Sequence, residues 1–341
     1  MVARAEMTER ERHGANEGPE AVHVPVLADE VVEGLTRGLE RETFAGWLVD
    51  ATLGAAGHAS RLLTALPKAH LLGIDQDPEI LVHAKARLAP FGEGQSDRVR
   101  VRCARVSQLS RTIRKERIEK PHAMLLDLGV SSLQLDAPRR GFSFQADGPL
   151  DMRMDPERTR TAADIVNEWD EGDLADLIYY EGGESGARKV ARAIVQARRN
   201  VPFLRTSALA DTIANALGGG GRVHPATRTF QALRRAVNEE GEELLRGLAA
   251  AEHWLAPGGR LVVISFHSGE DRTVKRYFQD GARADVWTVD TKRPIGPSSA
   301  EERKNRRARS AKLRIATRTD APARTSQHEA ETGQDAEEAG R

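Results

Sequence analysis

The residues best suited to chemistry lie in an early segment, Asp50-Ala51-Thr52-Leu53-Gly54-Ala55-Ala56-Gly57-His58. Small side chains in a turn let the backbone approach a ligand closely, and a helix that starts there offers free N–H groups. Asp75 follows about 20 residues later, at the end of a second apolar run. An acid so placed can accept hydrogen bonds from both hydroxyls of a ribose. Turn and acid together point to a nucleoside-containing cofactor. They do not separate a nicotinamide cofactor from S-adenosylmethionine, although no G-x-G-x-x-G can be read in the turn. A tight structural connection is the alternative reading of the glycines.

A second group runs from Leu125 to Asp136 (LLDLGVSSLQLD). Asp127 closes its apolar run, at the carboxyl end of an expected strand, where open α/β sheets bind ligands. Three further segments place Arg or His beside aromatic and small polar residues. They are Arg139 to Phe144 with Asp147 to Asp155, His224 to Arg234, and Ser265 to Arg272. Arginines there could contact phosphates, and Phe142 or Phe144 could stack on a base. Equally, the aromatics could be core and the arginines ion-paired. Asp151, Asp155 and Glu270 invite a metal reading, but acid-rich turns are far more often helix caps, so no metal is expected.

The elements that must position these residues follow from periodicity. Pro25 to Leu35 has a helical pattern. Apolar runs at 47–49, 71–74, 99–103 and 123–128 alternate with helical stretches near 59–66 and 78–88, the latter capped by Asp77 with Pro78 at its first position. That alternation predicts βαβ units and a parallel sheet. Between Gly141 and Gly221 no strand is predicted, only helices at 171–180, 187–198 and 207–217, with 218–221 as a flexible joint. One long helix is predicted over 227–255, ended by Pro257-Gly258-Gly259. A strand at 260–266, a helix at 271–278, an extended piece at 286–289 and a strand at 312–316 complete the reading. The architecture is a doubly wound α/β sheet interrupted after its fourth strand by a helical insert. The expected domains are 22–140 with 222–318, an insert at 141–221 and disordered tails at 1–21 and 319–341.

Composition is that of a soluble globular protein, with 39% apolar and 30% charged residues. Acids and bases balance at 51 each, but residues 303–318 hold eight Lys or Arg and no acid. Such a patch is compatible with nucleic-acid binding, and equally with a solvated surface strand. Cys103 is the single cysteine, which excludes an intramolecular disulfide and a cysteine-based zinc site. No apolar run approaches a membrane span, and the first residues lack the apolar stretch of a secretion signal, so a reducing, cytoplasmic setting is expected.

Taken together and in this order, LLDLGVSS, RGFSF, DGPLDMRMD, HPATRTFQALR, LAPGGRL and ISFHS closely resemble the RsmH (MraW) family of ribosomal RNA methyltransferases. The match runs from about His23-Val24-Pro25 to Lys312-Leu313-Arg314 and leaves out only the tails. The resemblance implies a class I S-adenosylmethionine-dependent methyltransferase fold, Rossmann-like and doubly wound, with the helical insert as its RNA-substrate domain. It implies S-adenosyl-L-methionine as donor and N4-methylation of a cytosine in the decoding region of 16S rRNA, within the small ribosomal subunit. It is compatible with a homodimer. It places cofactor contacts on Ala56, Gly57, His58, Asp75, Val106, Asp127 and Gln134, and assigns no catalytic residue. The sequence departs from the family where Ala56 stands for a usual glycine, Val106 for an aromatic, Leu133 for a proline and Gly269 for a leucine. Ala56 implies either crowding of the cofactor by one methyl or a turn that needs no left-handed residue there. Rival readings are a methyltransferase for a small molecule or protein, a dinucleotide oxidoreductase, and a non-catalytic ribosome-assembly factor.

Overall fold

The computed structural model describes residues 25–92, 94, 97–218 and 223–324. The expected arm at 1–21, most of the expected tail and residues 219–221 of the expected joint lie outside the described residues.

Seven strands form one sheet: β1 (Trp47–Asp50), β2 (His70–Asp75), β3 (Val99–Cys103), β4 (Ala123–Asp127), β5 (Arg260–Ser265), β6 (Trp287–Val289) and β7 (Lys312–Arg318). Their order is β3-β2-β1-β4-β5-β7-β6, with β7 antiparallel to both neighbours and the other pairs parallel. The strands are short apolar runs because a parallel sheet is covered on both faces. Leu48, Leu71, Leu125, Val262 and Ile264 enter one core, and Val49, Leu72, Met124, Leu126 and Val263 the other. This is the period of two that a pleated strand imposes.

Helices α1 (Ala28–Thr36), α2 (Gly57–Ala65) and α3 (Pro78–Leu88) cover the first face, and α4 (Leu109–Lys115) packs on the second. After β4 comes a one-turn helix α5 (Ser132–Leu135), then α6 (Ala162–Glu168), α7 (Glu171–Tyr180), α8 (Ala187–Arg198), α9 (Thr206–Leu217) and α10 (Thr227–Val237). These build a separate apolar core from Phe142 to Val237. Phe230, Leu233 and Val237 of α10 belong to that core, so the helical unit extends past the expected boundary at 221. Helices α11 (Glu240–Trp254) and α12 (Ser268–Arg283) then return to the second face of the sheet, and α13 (Ser299–Lys304) precedes β7.

Two expectations are corrected. The single helix over 227–255 is two helices, because Glu239 adopts φ 51° and breaks the run. Buried Asn238 holds the break: its amide accepts from the Met154 N–H (2.8 Å) and donates to the Met152 and Arg234 carbonyls (both 2.8 Å). The second concerns residues 319–324, expected to be disordered and instead held in place. Thr319 caps the β6 region, and Arg324 donates from its backbone N–H (2.7 Å) and guanidinium to Glu252.

Candidate active site

The strand order reverses between β1 and β4, and the crevice beyond their carboxyl ends is where a doubly wound sheet binds ligands. A cavity of about 570 Å³ opens there. Gly57, His58, Asp75, Val106, Asp127 and Gln134 all line it. Ala56 does not, being fully buried behind the turn.

The turn after β1 is held from several sides. The Asp127 N–H donates to Thr52 Oγ1 (2.6 Å), joining the turn to β4. The Gly54 N–H donates to Asp75 Oδ2 (2.8 Å), joining it to β2. Leu53 packs on Gly73 so closely that a Cβ there would lie 2.7 Å from its side chain, which accounts for a glycine inside β2. Ala56 adopts φ 61°, the left-handed conformation that a glycine takes without strain. The turn therefore does need that conformation, and Ala56, fully buried and not part of the cavity wall, does not crowd it.

Asp75 is aimed by two backbone donors, Gly54 on Oδ2 and Asp77 on Oδ1 (2.9 Å). Burial pushes its carboxyl up to about 6 against those two bonds. Asp50, at the end of β1, is 1% exposed. Burial pushes it up to about 7, opposed by neighbouring His58 and by the Thr52 N–H, and reinforced by Asp127 and Asp75. His58 neighbours Asp50, and its Nε2 lies 3.5 Å from Asp127 Oδ2. Both His58 ring nitrogens, Asp127 Oδ1, Gln76 Oε1 and Ser132 Oγ are buried polar atoms without a hydrogen-bond partner among the described residues. Buried polar groups are ordinarily paired, so this cluster of cavity residues has acceptors and donors to offer a ligand.

Gln134, which lines the cavity, also braces its wall. Its Oε1 accepts from the Ser131 N–H (2.9 Å) and its Nε2 donates to Asp77 Oδ2 (2.8 Å), so the amide braces the wall. Val106 contributes an apolar surface from the turn after β3 and packs under α11, where a Cβ on Gly247 would come within 2.5 Å of it. Pattern reading missed Asp50 as a titrating group, Met154 and Phe266 as wall residues, and Asp77 as more than a cap. Asp77 does cap α3, accepting from the Glu79 N–H (3.0 Å), and the capping signal conceals its second role. Pro25 and Asn305, from opposite ends of the described chain, close the cavity.

Of the other aromatic candidates, Phe142 is buried in the helical core, while Phe144 stacks against His224 and Phe230. Asp151 is paired with Arg153, and Glu270 with His267, at 2.8 and 2.9 Å. The Arg153 side chain and backbone bonds hold the Asp151 carboxyl below its ordinary range despite burial. Among the described residues no helix is long and apolar enough to cross a membrane.

Residues 20–319 match the MraW methylase family. The chain is 47% identical over 321 residues to the ribosomal RNA small subunit methyltransferase H of Methylobacterium sp. (strain 4-46), covering 89% of this chain and 93% of that one. It is 48% identical over 301 residues to the protein of the same name from Synechococcus elongatus, covering 87% and 94%. A third such protein, from Cyanothece sp., is 46% identical over 305 residues and covers 89% and 97%. These matches remove the oxidoreductase and assembly-factor readings. The sheet order, the cavity at its switch point and the family match agree: this chain is a methyltransferase of the class I fold and belongs to the MraW methylase family.

Proposed function

We propose that this chain transfers a methyl group from S-adenosylmethionine to the N4 amine of a cytosine in the decoding region of 16S rRNA, on the small ribosomal subunit in the cytoplasm. One observation carries the reading: a cavity at the switch point whose wall holds unpartnered buried polar atoms and two strand-end carboxyls, Asp75 and Asp127, in a chain whose relatives bear the name ribosomal RNA small subunit methyltransferase H.

The residues present fit the cofactor. Asp75, already aimed by two N–H groups, would accept from the ribose hydroxyls, and Gly57 and His58 would lie beside the amino-acid portion. Asp50, Asp75 and Asp127 make the cavity favourable to a cation. Bound S-adenosylmethionine would supply a methyl group on a positively charged sulfur. The acceptor is an amine whose lone pair is delocalised into its ring, so the chain must align it and accept hydrogen bonds from its protons. Asp127 Oδ1 is a buried acceptor at the strand end with no hydrogen-bond partner among the described residues, and we assign it that contact. A base in folded RNA must be unstacked to enter such a cavity. The helical unit and the basic residues 303–318 would grip the RNA around it.

Incubation with methyl-labelled S-adenosylmethionine and unmodified small subunits, followed by nucleoside analysis, tests this. The expected product is N4-methylcytidine at one decoding-region site, lost in Asp127→Asn while S-adenosylhomocysteine still binds. Label on a protein or small molecule, and none on RNA, would assign another substrate. Full turnover by Asp127→Asn would remove its contact.

A further inference from the structure

We propose that Arg140 is a positioning residue that ties the helical unit to the cofactor cavity, so that cofactor and RNA binding are coupled through it. The inference rests on the function proposed above.

Asp77 is fully buried, and its carboxylate is shared. Oδ1 caps α3, while Oδ2 accepts from Gln134 Nε2 (2.8 Å) and pairs with Arg140 Nη1 (2.9 Å). The Asp77 N–H meanwhile aims Asp75 (2.9 Å). Arg140 reaches the other way as well: its Nη2 donates to the carbonyls of Arg153 (2.9 Å) and Met154 (3.1 Å). Met154 is a wall of the cavity, and its sulfur accepts from Gln76 Nε2 (3.1 Å). One mostly buried guanidinium therefore spans from the acid that aims Asp75 to the loop that carries Met154.

That loop belongs to the helical core through Leu150, Met152 and Met154. It is strained: Met152 adopts φ 65°, which a non-glycine residue keeps only when its surroundings impose it. Asn238, at the break between α10 and α11, imposes it from the far side through Met152 O and Met154 N. The loop is thus clamped between Arg140 and Asn238. A ligand that orders Asp75 and Asp77 fixes the first clamp, and an RNA that grips the helical unit loads the second. Coupling of this kind is reciprocal between the two ligands. Arg105 to Asp155 (3.1 Å) is a further tie on the loop, but it is more exposed and runs to the turn after β3.

The test is hydrogen–deuterium exchange with and without S-adenosylhomocysteine, alongside its Kd by calorimetry, in the full chain and in Arg140→Lys. A lysine keeps a charge beside Asp77 but lacks the planar fork that reaches both carbonyls. In the unaltered protein the ligand should slow exchange at 52–58 and also at 151–158. In Arg140→Lys the first protection should persist, the second should vanish, and Kd should rise about 10-fold. Equal protection of 151–158 in both proteins, or none there in the unaltered protein, would overturn the coupling and leave the proposed function standing. Arg140→Ala adds a control: a lowered Tm with unchanged Kd would make Arg140 a structural residue and overturn its positioning role. Failure of the unaltered protein to bind S-adenosylhomocysteine would overturn the cofactor reading itself.

Discussion

Two clusters of buried charge sit on the same sheet and are built on opposite principles. At the carboxyl ends of β1, β2 and β4, Asp50, Asp75 and Asp127 stand close together, with His58 beside Asp50 and Asp127, and burial pushes the first two up to about 7 and about 6. On the far side, Glu252 of α11 is equally buried, yet it receives Arg324 through both backbone and side chain and Trp287 through its indole N–H (3.1 Å). Burial pushes Glu252 up as well, but the Arg324 bonds outweigh it and hold the carboxyl below its ordinary range. Burial and Glu252 together push the neighbouring Tyr277 hydroxyl upward. Burial alone therefore does not distinguish a functional acid from a structural one. What distinguishes them is whether an arginine of the protein answers the charge: Arg324 does so for Glu252, while Asp50 and Asp75 receive backbone N–H groups.

The contrast is broken most severely at Glu252. Glu252→Ala leaves Arg324 without its partner and should lower stability by about 3–5 kcal/mol, while S-adenosylhomocysteine affinity at permissive temperature stays unchanged. Urea unfolding with calorimetry checks both. A loss below about 1 kcal/mol would place the pair among weak surface bridges.

Asp50 should act in the opposite sense. Its folded value, near 7, lies above the unfolded 3.8, so its favourable contribution is complete below 3.8 and is lost as pH rises through 7. Asp50→Asn should therefore raise stability at pH 8 by about 3 kcal/mol, and the gain should shrink steadily toward pH 4. The Glu252 contribution runs the other way: present above the unfolded 4.5 and lost as pH falls through the lower folded value. Stability curves from pH 4 to pH 8 with the same slope in both variants would erase the distinction.

The smallest effect should come from Ala56. Its left-handed backbone costs about 1–2 kcal/mol. Ala56→Gly removes that strain but gives up about 0.8 kcal/mol of methyl burial and up to about 1 kcal/mol of unfolded-chain entropy. The net change in stability should stay within about 1 kcal/mol, with cofactor affinity unaltered because the methyl lies outside the cavity. A tenfold change in Kd would show that the methyl reaches the ligand.

The sheet and much of the cavity were legible because their signals are local. Buried parallel strands read as runs such as Leu71-Leu72-Gly73-Ile74, and strand-end acids mark themselves at Asp50, Asp75 and Asp127. What was illegible depends on partners far along the chain. Nothing local predicts a break at Asn238-Glu239, where no glycine or proline stands; hydrogen bonds to Met152 and Met154 impose it. The packing of α10 on the helical unit is likewise tertiary, since its apolar face would suit either core. Asp77 reads as a cap and is one, but the chain does not announce that Arg140 will arrive at the same carboxylate.

The backbone N–H of Leu27 donates to Glu301 Oε1 (2.7 Å), and Pro25 faces Asn305 across the cavity. During synthesis, then, the cradle after β1 is made early but stays open until α13 emerges behind it. A nascent chain lacking residues beyond 300 has the turn and the acids but neither the Glu301 latch on Leu27 nor the Asn305 wall. Contacts of such long sequence separation close late, so competence to hold the methyl donor should be among the last properties the growing polypeptide acquires.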